Sequence, residues 1–455
     1  MDIQALVAAQ RAYFNTGATL PLAARREALQ RLRAAVTARE GDITAALRSD
    51  LNKSPAESYM CEVGLTLSEL SFVEKRLARW MGDRPHLTPL AQFPARSFTV
   101  QEPYGVALIM SPWNYPFLLT LEPLIGAIAA GNCAVVKPSA YSPATSAVIR
   151  DILKCFPPEY VAVVEGGRGE NQALLDQKFD CIFFTGGVEV GREVMVKAAR
   201  HLTPVTLELG GKSPCIVDKT ARLDLAAKRL VFGKLLNCGQ TCVAPDYLLV
   251  DRRVKDRFLE YLKRWITVMY GENPLDNGGY VRMVNGKHFH RVMGLIDPDK
   301  VVFGGRGDPD TLKIQPTILD NVSPEDAVMQ EEIFGPVLPV LTFEDVQEAL
   351  DFVNARPRPL ALYLFSRDRR VQELFLRRAS FGGGCINDTV IHLATSRMPF
   401  GGVGNSGMGS YHGRASFDTF SHRKSIVKKS TLLDLPVRYA PCTPVKNKLL
   451  RLFLR

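Results

Sequence analysis

Four short apolar runs constrain this chain most. Val106 to Met110, Ala134 to Val136, Val161 to Val164 and Cys181 to Phe184 are almost unbroken in aliphatic and aromatic residues, with helical stretches between them. A strand apolar on both faces must be covered on both faces. Strands alternating with helices meet that need as a parallel sheet between two helix layers. The expected class is α/β. Sheets of this kind bind ligands beyond the carboxyl ends of their strands, so chemistry is sought in the segments that follow such runs.

The first run leads into Met110-Ser111-Pro112-Trp113-Asn114-Tyr115-Pro116. The Asn114 side chain offers an N–H to a developing oxyanion. The commoner use of a turn asparagine is a bond to its own backbone. Further on, Glu208 lies between Leu207 and Leu209 and ahead of Gly210-Gly211. Apolar surroundings raise a carboxylate's pKa, the direction a general base near neutrality requires. The alternative is a solvent-facing glutamate at a strand end. The paired glycines weigh against it, because they permit a close backbone approach.

Cys242 stands in Asn237-Cys238-Gly239-Gln240-Thr241-Cys242-Val243-Ala244-Pro245. Cysteines are buried more often than they are reactive. This one has small and polar neighbours and a following proline, which reads as a loop or helix start where a thiol can attack an electrophile. Cys238 lies four residues earlier. If the segment were a helical turn the two thiols would share a face, within reach of a reversible disulfide. A small-residue substitution is the blander reading. A glycine-rich turn, Thr185 to Gly191, follows the fourth run and opens a helix, so its amides could face a pyrophosphate.

These segments, in this order, resemble the aldehyde dehydrogenase superfamily. The resemblance is carried by Pro112-Trp113-Asn114, Lys137-Pro138-Ser139, Phe184-Thr185-Gly186, Leu207 to Lys212, Gly239 to Cys242, and Glu331 to Pro336. His201 to Thr206 and Gly402 to Gly409 are similar to its class 3 branch. The similarity runs from the N-terminal helices to about residue 440.

The resemblance implies a Rossmann-type cofactor domain, an α/β catalytic domain and a small β oligomerisation arm. Residues 1–80 and 103–208 would form the helical N-terminal part and the dinucleotide-binding domain. Residues 209–400 would form the catalytic domain, 85–102 and 415–440 the oligomerisation sheet, and 441–455 a basic amphipathic tail. It also implies a homodimer.

By resemblance, Cys242 is the nucleophile, Glu208 the base and Asn114 an oxyanion donor. NAD or NADP would be held by Lys137, Ser139, Ala140, Thr185, Gly186 and Gly191 on one side. Leu209, Gly210, Glu332 and Phe334 would hold it on the other. Tyr115, Phe232, Thr241 and Phe400 would line the aldehyde. Phe232 is smaller than the tryptophan common in relatives, which leaves room for longer or bulkier substrates. Ala140 stands where many class 3 relatives have glutamate. Its lack of negative charge favours use of NADP beside NAD. Relatives often carry Ser-Thr where this chain has Gly187-Val188.

Composition narrows the classes. The chain has 455 residues, enough for more than one domain. Its net charge of +10 is not gathered with aromatics, so nucleic acid binding has little support. Nine cysteines without paired spacing read as reduced thiols in a cytoplasmic setting. The longest apolar run, Pro116 to Ala130, is short for a membrane span and is interrupted by Glu122 and Pro123. His288 and His290 read as alternation in an irregular stretch, and no metal is assigned. The basic, leucine-rich end, Lys446 to Arg455, fits a cap over a substrate entrance or packing on the chain's own core. Peripheral contact with an anionic membrane is the further use.

The expected reaction is oxidation of medium- or long-chain aliphatic, aromatic or apocarotenoid aldehydes to acids through a cysteine thioacyl intermediate. The rival readings are a CoA-acylating dehydrogenase, a non-redox cysteine esterase or hydrolase, and a non-enzymatic protein built on the same scaffold.

Overall fold

The computed structural model describes residues 2–454. Six helices between Ile3 and Met81 come first. Then follow strands β1 (Arg84–His86) and β2 (Ala95–Pro103), and β3 (Val106–Met110), β4 (Cys133–Lys137), β5 (Val161–Val163), β6 (Cys181–Gly186) and β7 (Val205–Leu209). The second half supplies β8 (Pro214–Val217), β9 (Tyr247–Asp251), β10 (Val301–Phe303) and a short pair, β11 (Gly307–Asp308) with β12 (Lys313–Ile314). It continues with β13 (Thr317–Leu319), β14 (Val337–Phe343), β15 (Ala361–Phe365) and β16 (Gly383–Ile386). β17 (Gly407–Met408) and β18 (Ser421–Lys429) complete the strands.

The four apolar runs are β3 to β6, as the pattern requires. They lie in one sheet of order β17-β7-β6-β3-β4-β5, parallel except for β17. A second sheet has order β10-β13-β14-β9-β8-β15-β16, parallel except for β10. β1, β2 and β18 make a separate antiparallel sheet, with β18 paired to β2 from Ser421 to Lys429. Residues 407–408 thus return to the first sheet after the second is finished, opposite Glu208 and Leu207.

One helix governs the position of the site. Leu118–Ala130 is buried at every residue. That is why the sequence is apolar all round and not amphipathic. Its first amides are satisfied from another helix: the Glu62 carboxylate accepts from Phe117 N at 2.8 Å and Leu118 N at 3.3 Å. It stops at Gly131, whose φ of +95° lets its amide fold back onto Ala127 and Ile128.

Glu62 is itself paired with Lys53, and both side chains are fully buried. Lys53 also donates to the Asn114 carbonyl at 3.0 Å and lies 4.1 Å from the centre of the Tyr115 ring. An ion pair removed from water holds only with such added bonds. Here it fixes the 114–118 segment between the N-terminal helices and the first sheet.

Two expectations change. His288 and His290 lie on a regular helix, Gly286–Met293, whose start is capped by Asn285. The capping side chain was in the sequence, but the short helix offered too few turns for its period to be read. The tail, Pro444–Phe453, is helical as expected but buries none of its residues against the chain. Packing on its own core is excluded for that segment. Among the described residues no helix is long and apolar enough to cross a membrane.

Candidate active site

The candidate residues come from two kinds of place. Asn114 follows β3, Lys137 ends β4, Gly186 ends β6, and Glu208, Leu209 and Gly210 end or follow β7. Cys242 precedes β9, and Glu332 and Phe334 precede β14. The carboxyl ends of the first sheet therefore supply one wall and the amino ends of the second sheet supply the other. That relation is invisible in the sequence, because it depends on how two sheets face each other.

Cys242 is half-buried in a loop and opens on a cavity of about 290 Å³. Burial pushes its thiol well above the ordinary cysteine value, and the negative charges of Glu208 and Glu332 add to that. The backbone amides of Cys242 and Val243 act in the opposite sense. Burial therefore favours the protonated thiol, and the two amides favour the thiolate.

Glu208 is 2% exposed, and neither carboxyl oxygen has a hydrogen-bond partner among the described residues. Burial raises its pKa well above the carboxylate range, with Glu332 next in effect. Cys242 is near enough to favour the ionised form, but outside hydrogen-bond geometry. A buried carboxyl with no partner is costly to keep, and such groups mark sites where something else completes the arrangement.

Asn114 is buried and donates through Nδ2 to the Gln240 carbonyl at 3.0 Å. Asn237 donates to the same carbonyl at 2.9 Å and to the Asn114 carbonyl at 2.8 Å. Tyr115 Oη and Thr241 Oγ1 are 2.7 Å apart. The 114–115 segment and the 237–242 loop are thus stitched together two residues from Cys242.

Asn237 and Cys238 both adopt left-handed backbone, φ +52° and +54°. No helical turn links Cys238 to Cys242, so the shared-face argument fails. Cys238 is fully buried, with its sulfur 3.4 Å from Tyr280 Oη in the second hydrophobic cluster.

The cofactor-side residues can be tested against a dinucleotide. Thr185 Oγ1 is buried and unpartnered. Gly187 caps the helix Val188–Ala199, where no side chain takes the first amides, and nothing lies within 4 Å of a Cβ added there. A Cβ on Gly210 would fall 2.1 Å from Glu332 Oε2, so the bare backbone makes room for that carboxyl. Glu332, whose pKa burial raises to about 8, is met by the Gly211 amide. Gly186 and Gly191 sit hard against Phe184 and Leu209. Open amides, an orphan hydroxyl and a cradled carboxyl fit a phosphate and ribose ligand.

Lys137 is not a solvated lysine. It is 3% exposed, and its ammonium donates to the carbonyls of Pro138 at 2.9 Å and Gly166 at 2.7 Å. Ser139 and Ala140 follow it at the surface, with Ala140 exposed. Phe334, at φ +50°, meets Trp113 edge-on at 5.4 Å. Phe232 and Phe400 line the cavity with Tyr115 and Thr241.

Several residues escaped the sequence reading. Lys53, Glu62 and Asn237 look like surface residues until their partners are known. Lys234 is buried, and its ammonium has no partner among the described residues. Burial lowers its pKa to about 8. Glu122 had a visible signal: it is the lone charge in the longest apolar run.

Comparison with known proteins identifies the family. The family model described as "Aldehyde dehydrogenase family" matches residues 1–426. The 4,4'-diaponeurosporen-aldehyde dehydrogenase of Staphylococcus aureus is 48% identical over 95% of each chain. The dimeric NADP-preferring aldehyde dehydrogenase of Canis lupus familiaris is 44% identical over 96% of this chain and 98% of its own. Among solved structures, a substrate-bound Staphylococcus aureus AldH superposes with a TM-score of 0.98 at 46% identity, covering all of both chains. A Pseudomonas syringae (P. syringae) indole-3-acetaldehyde dehydrogenase in complex with NAD+ gives 0.86 at 28% identity, over 94% of this chain and 89% of that one.

Proposed function

This chain belongs to the aldehyde dehydrogenase family, and we propose that its oxidation of aldehydes with NAD or NADP is carried by Cys242, Glu208 and Asn114. The observation that carries the assignment is the half-buried thiol at an apolar cavity beside a buried carboxyl with no partner of its own.

Cys242 Sγ gives its proton to water in the cavity and bonds to the aldehyde carbon, while the carbonyl π pair moves onto oxygen. The second N–H of the Asn114 amide and the Cys242 backbone amide face the oxygen that becomes negative. Lys137, Thr185, Gly186, Gly210 and Glu332 would hold NAD or NADP, which would supply the acceptor for the hydride leaving that carbon as the carbonyl re-forms. Cys242 is then an acyl thioester. Glu208 takes a proton from water, the water oxygen bonds to the acyl carbon, and the C–S bond breaks to release a carboxylic acid.

The cavity favours apolar aldehydes. Its walls include Leu65, Leu118, Leu119, Phe232, Leu236 and Phe400. Medium- and long-chain aliphatic, aromatic or apocarotenoid aldehydes suit such walls, and the Staphylococcus aureus relative is named for an apocarotenoid one. An esterase would need a histidine on the thiol, but the histidine that lines this cavity, His412, stands against Glu122. A CoA-acylating enzyme has no use for a buried base beside the thioester.

The test is mass spectrometry of protein mixed with aldehyde and NAD, stopped within one turnover. An acyl adduct on Cys242 that accumulates in Glu208→Gln is the expected result. Normal aldehyde oxidation by Cys242→Ser would overturn the assignment.

The assembly is read as a homodimer through the β1-β2-β18 sheet. β18 is an edge strand, and Leu432 and Leu433 stand exposed just beyond it. The tail helix, with exposed Val445 and Leu452 among Lys446, Lys448 and Arg451, supports peripheral contact with anionic lipid. Sedimentation gives the first. Co-flotation with anionic vesicles, with and without residues 444–455, gives the second.

A further inference from the structure

The aldehyde cavity is largely apolar; hydroxyl-bearing Ser68, Thr395, Ser396 and Tyr411 also line it, and among the described residues its one carboxyl is Glu122. Leu118, Leu119 and Glu122 line it from the same helix, whose first turn begins where Tyr115 O accepts from Leu119 N. Seven residues separate Tyr115 from Glu122, about 10 Å along the axis at roughly 1.5 Å per residue. Glu122 therefore lies two turns from the segment that bonds to the Cys242 loop, well away from the reacting carbonyl.

Glu122 is 6% exposed, and what it exposes faces the cavity. It makes no hydrogen bond to any described residue. Its nearest ionisable neighbour is His412, Nε2 to Oε1 3.4 Å, which is also buried and also lines the cavity. Phe400 stacks on the His412 ring at 5.3 Å. Glu69, buried behind them, accepts from Gly413 N at 2.7 Å and has a second oxygen without a partner. Burial raises the Glu122 pKa well above the carboxylate range and lowers His412 to about 3. Burial thus favours the uncharged form of both groups.

An acid and an imidazole left incompletely bonded inside an apolar cavity are a cost to folding unless a ligand repays it. We propose that Glu122 and His412 form a polar subsite that selects aldehydes bearing a hydroxyl on the carbon chain, remote from the reacting carbonyl. A hydroxyl both donates and accepts, which suits a carboxyl beside an imidazole. An alkyl chain in the same place leaves the Glu122 carboxyl without a hydrogen-bond partner, and sites built on buried polar groups discriminate strongly against such analogues. This inference rests on Cys242 being the reacting thiol.

The experiment compares octanal with octanals carrying one hydroxyl at each successive carbon, as kcat/KM with NAD. The expected wild-type profile has one favoured hydroxyl position, about tenfold or more above octanal, expressed mainly in KM. In Glu122→Leu that ratio falls to near one, and in Glu122→Gln, which still donates and accepts, most of it remains. His412→Phe reads the same ratio should Glu122→Leu fail to fold. A flat wild-type profile, or a ratio equal in wild type and Glu122→Leu, overturns the subsite and leaves the Cys242 assignment intact. Wild-type protein that oxidises no member of the series takes down both.

Discussion

Asn114 and Asn237 share one acceptor. Their side-chain amides both donate to the Gln240 carbonyl, at 3.0 and 2.9 Å, and Asn237 also holds the Asn114 carbonyl at 2.8 Å. The proposed oxyanion donor is thus oriented from the loop that carries the proposed nucleophile. The left-handed φ of Asn237 suits asparagine better than most residues. Asn237→Ala loses two buried hydrogen bonds and leaves each of the two carbonyls with a single donor, Asn114 for Gln240 and Lys53 for Asn114. It should lower stability by about 2–4 kcal/mol, read from the urea midpoint. Aldehyde turnover should fall further than the folded fraction does.

The Lys53–Glu62 pair makes a second prediction. Lys53→Met leaves a carboxylate buried without its counter-charge and should cost about 3–5 kcal/mol in chemical denaturation. Adding Glu62→Leu removes the stranded charge but also strips Phe117 and Leu118 of their N-terminal acceptor. The double variant should recover only part of the loss.

Glu208 should set the acid limb of activity. As a base it acts when ionised, and burial holds its pKa well above that of an ordinary carboxylate. Turnover should rise with pH through that raised value. Glu208→Gln should keep the first-turnover burst, lose steady-state turnover by about 10²–10⁴-fold, and lose the limb. Stability runs in the opposite direction. A proton held in the folded state and released in the unfolded one stabilises below the unfolded pKa, about 4.3, and that contribution is lost as pH rises through the folded value. Relative to wild type, Glu208→Gln should gain stability as pH rises from about 4.3 toward the raised folded value, measured by urea midpoints.

Gly210→Ala would set a methyl group where the Glu332 carboxyl sits, 2.1 Å from Oε2. Glu332 is a flexible side chain and can move, so the fold should survive with little change in Tm. The displaced carboxyl should raise the KM for NAD by about tenfold, equivalent to about 1.4 kcal/mol. An unchanged KM for NAD would remove Glu332 from the proposed cofactor site.

Ala140 is exposed just beyond the end of β4. If the adenosine ribose lies there, Ala140→Glu should repel a 2′-phosphate and shift the ratio of kcat/KM for NAD over NADP upward by about tenfold. Equal effects on both cofactors would count against that placement.

The four apolar runs determined β3 to β6, the parallel centre of the first sheet, because a strand buried on both faces has nowhere else to go. Cys242, Glu208 and Asn114 were legible as candidates from their neighbours, with apolar, glycine and proline residues marking each. What the sequence could not give was the second face of each relationship. Lys53 sits in the loop between the helices Glu40–Leu51 and Pro55–Ser58, Glu62 sits on the helical turn Tyr59–Val63, and both contact the 114–118 segment only in the folded chain. The i, i+4 spacing of Cys238 and Cys242 suggested contact, but left-handed backbone at 237 and 238 turned one thiol into the second core. Glu122 was plain in the sequence as a charge among apolar residues, yet its place in the cavity beside His412 joins residues 290 positions apart. Local pattern decides which elements form, because burial of each element's faces is a local demand. The site was decided by tertiary structure, because its groups meet only where the ends of one sheet face the starts of another.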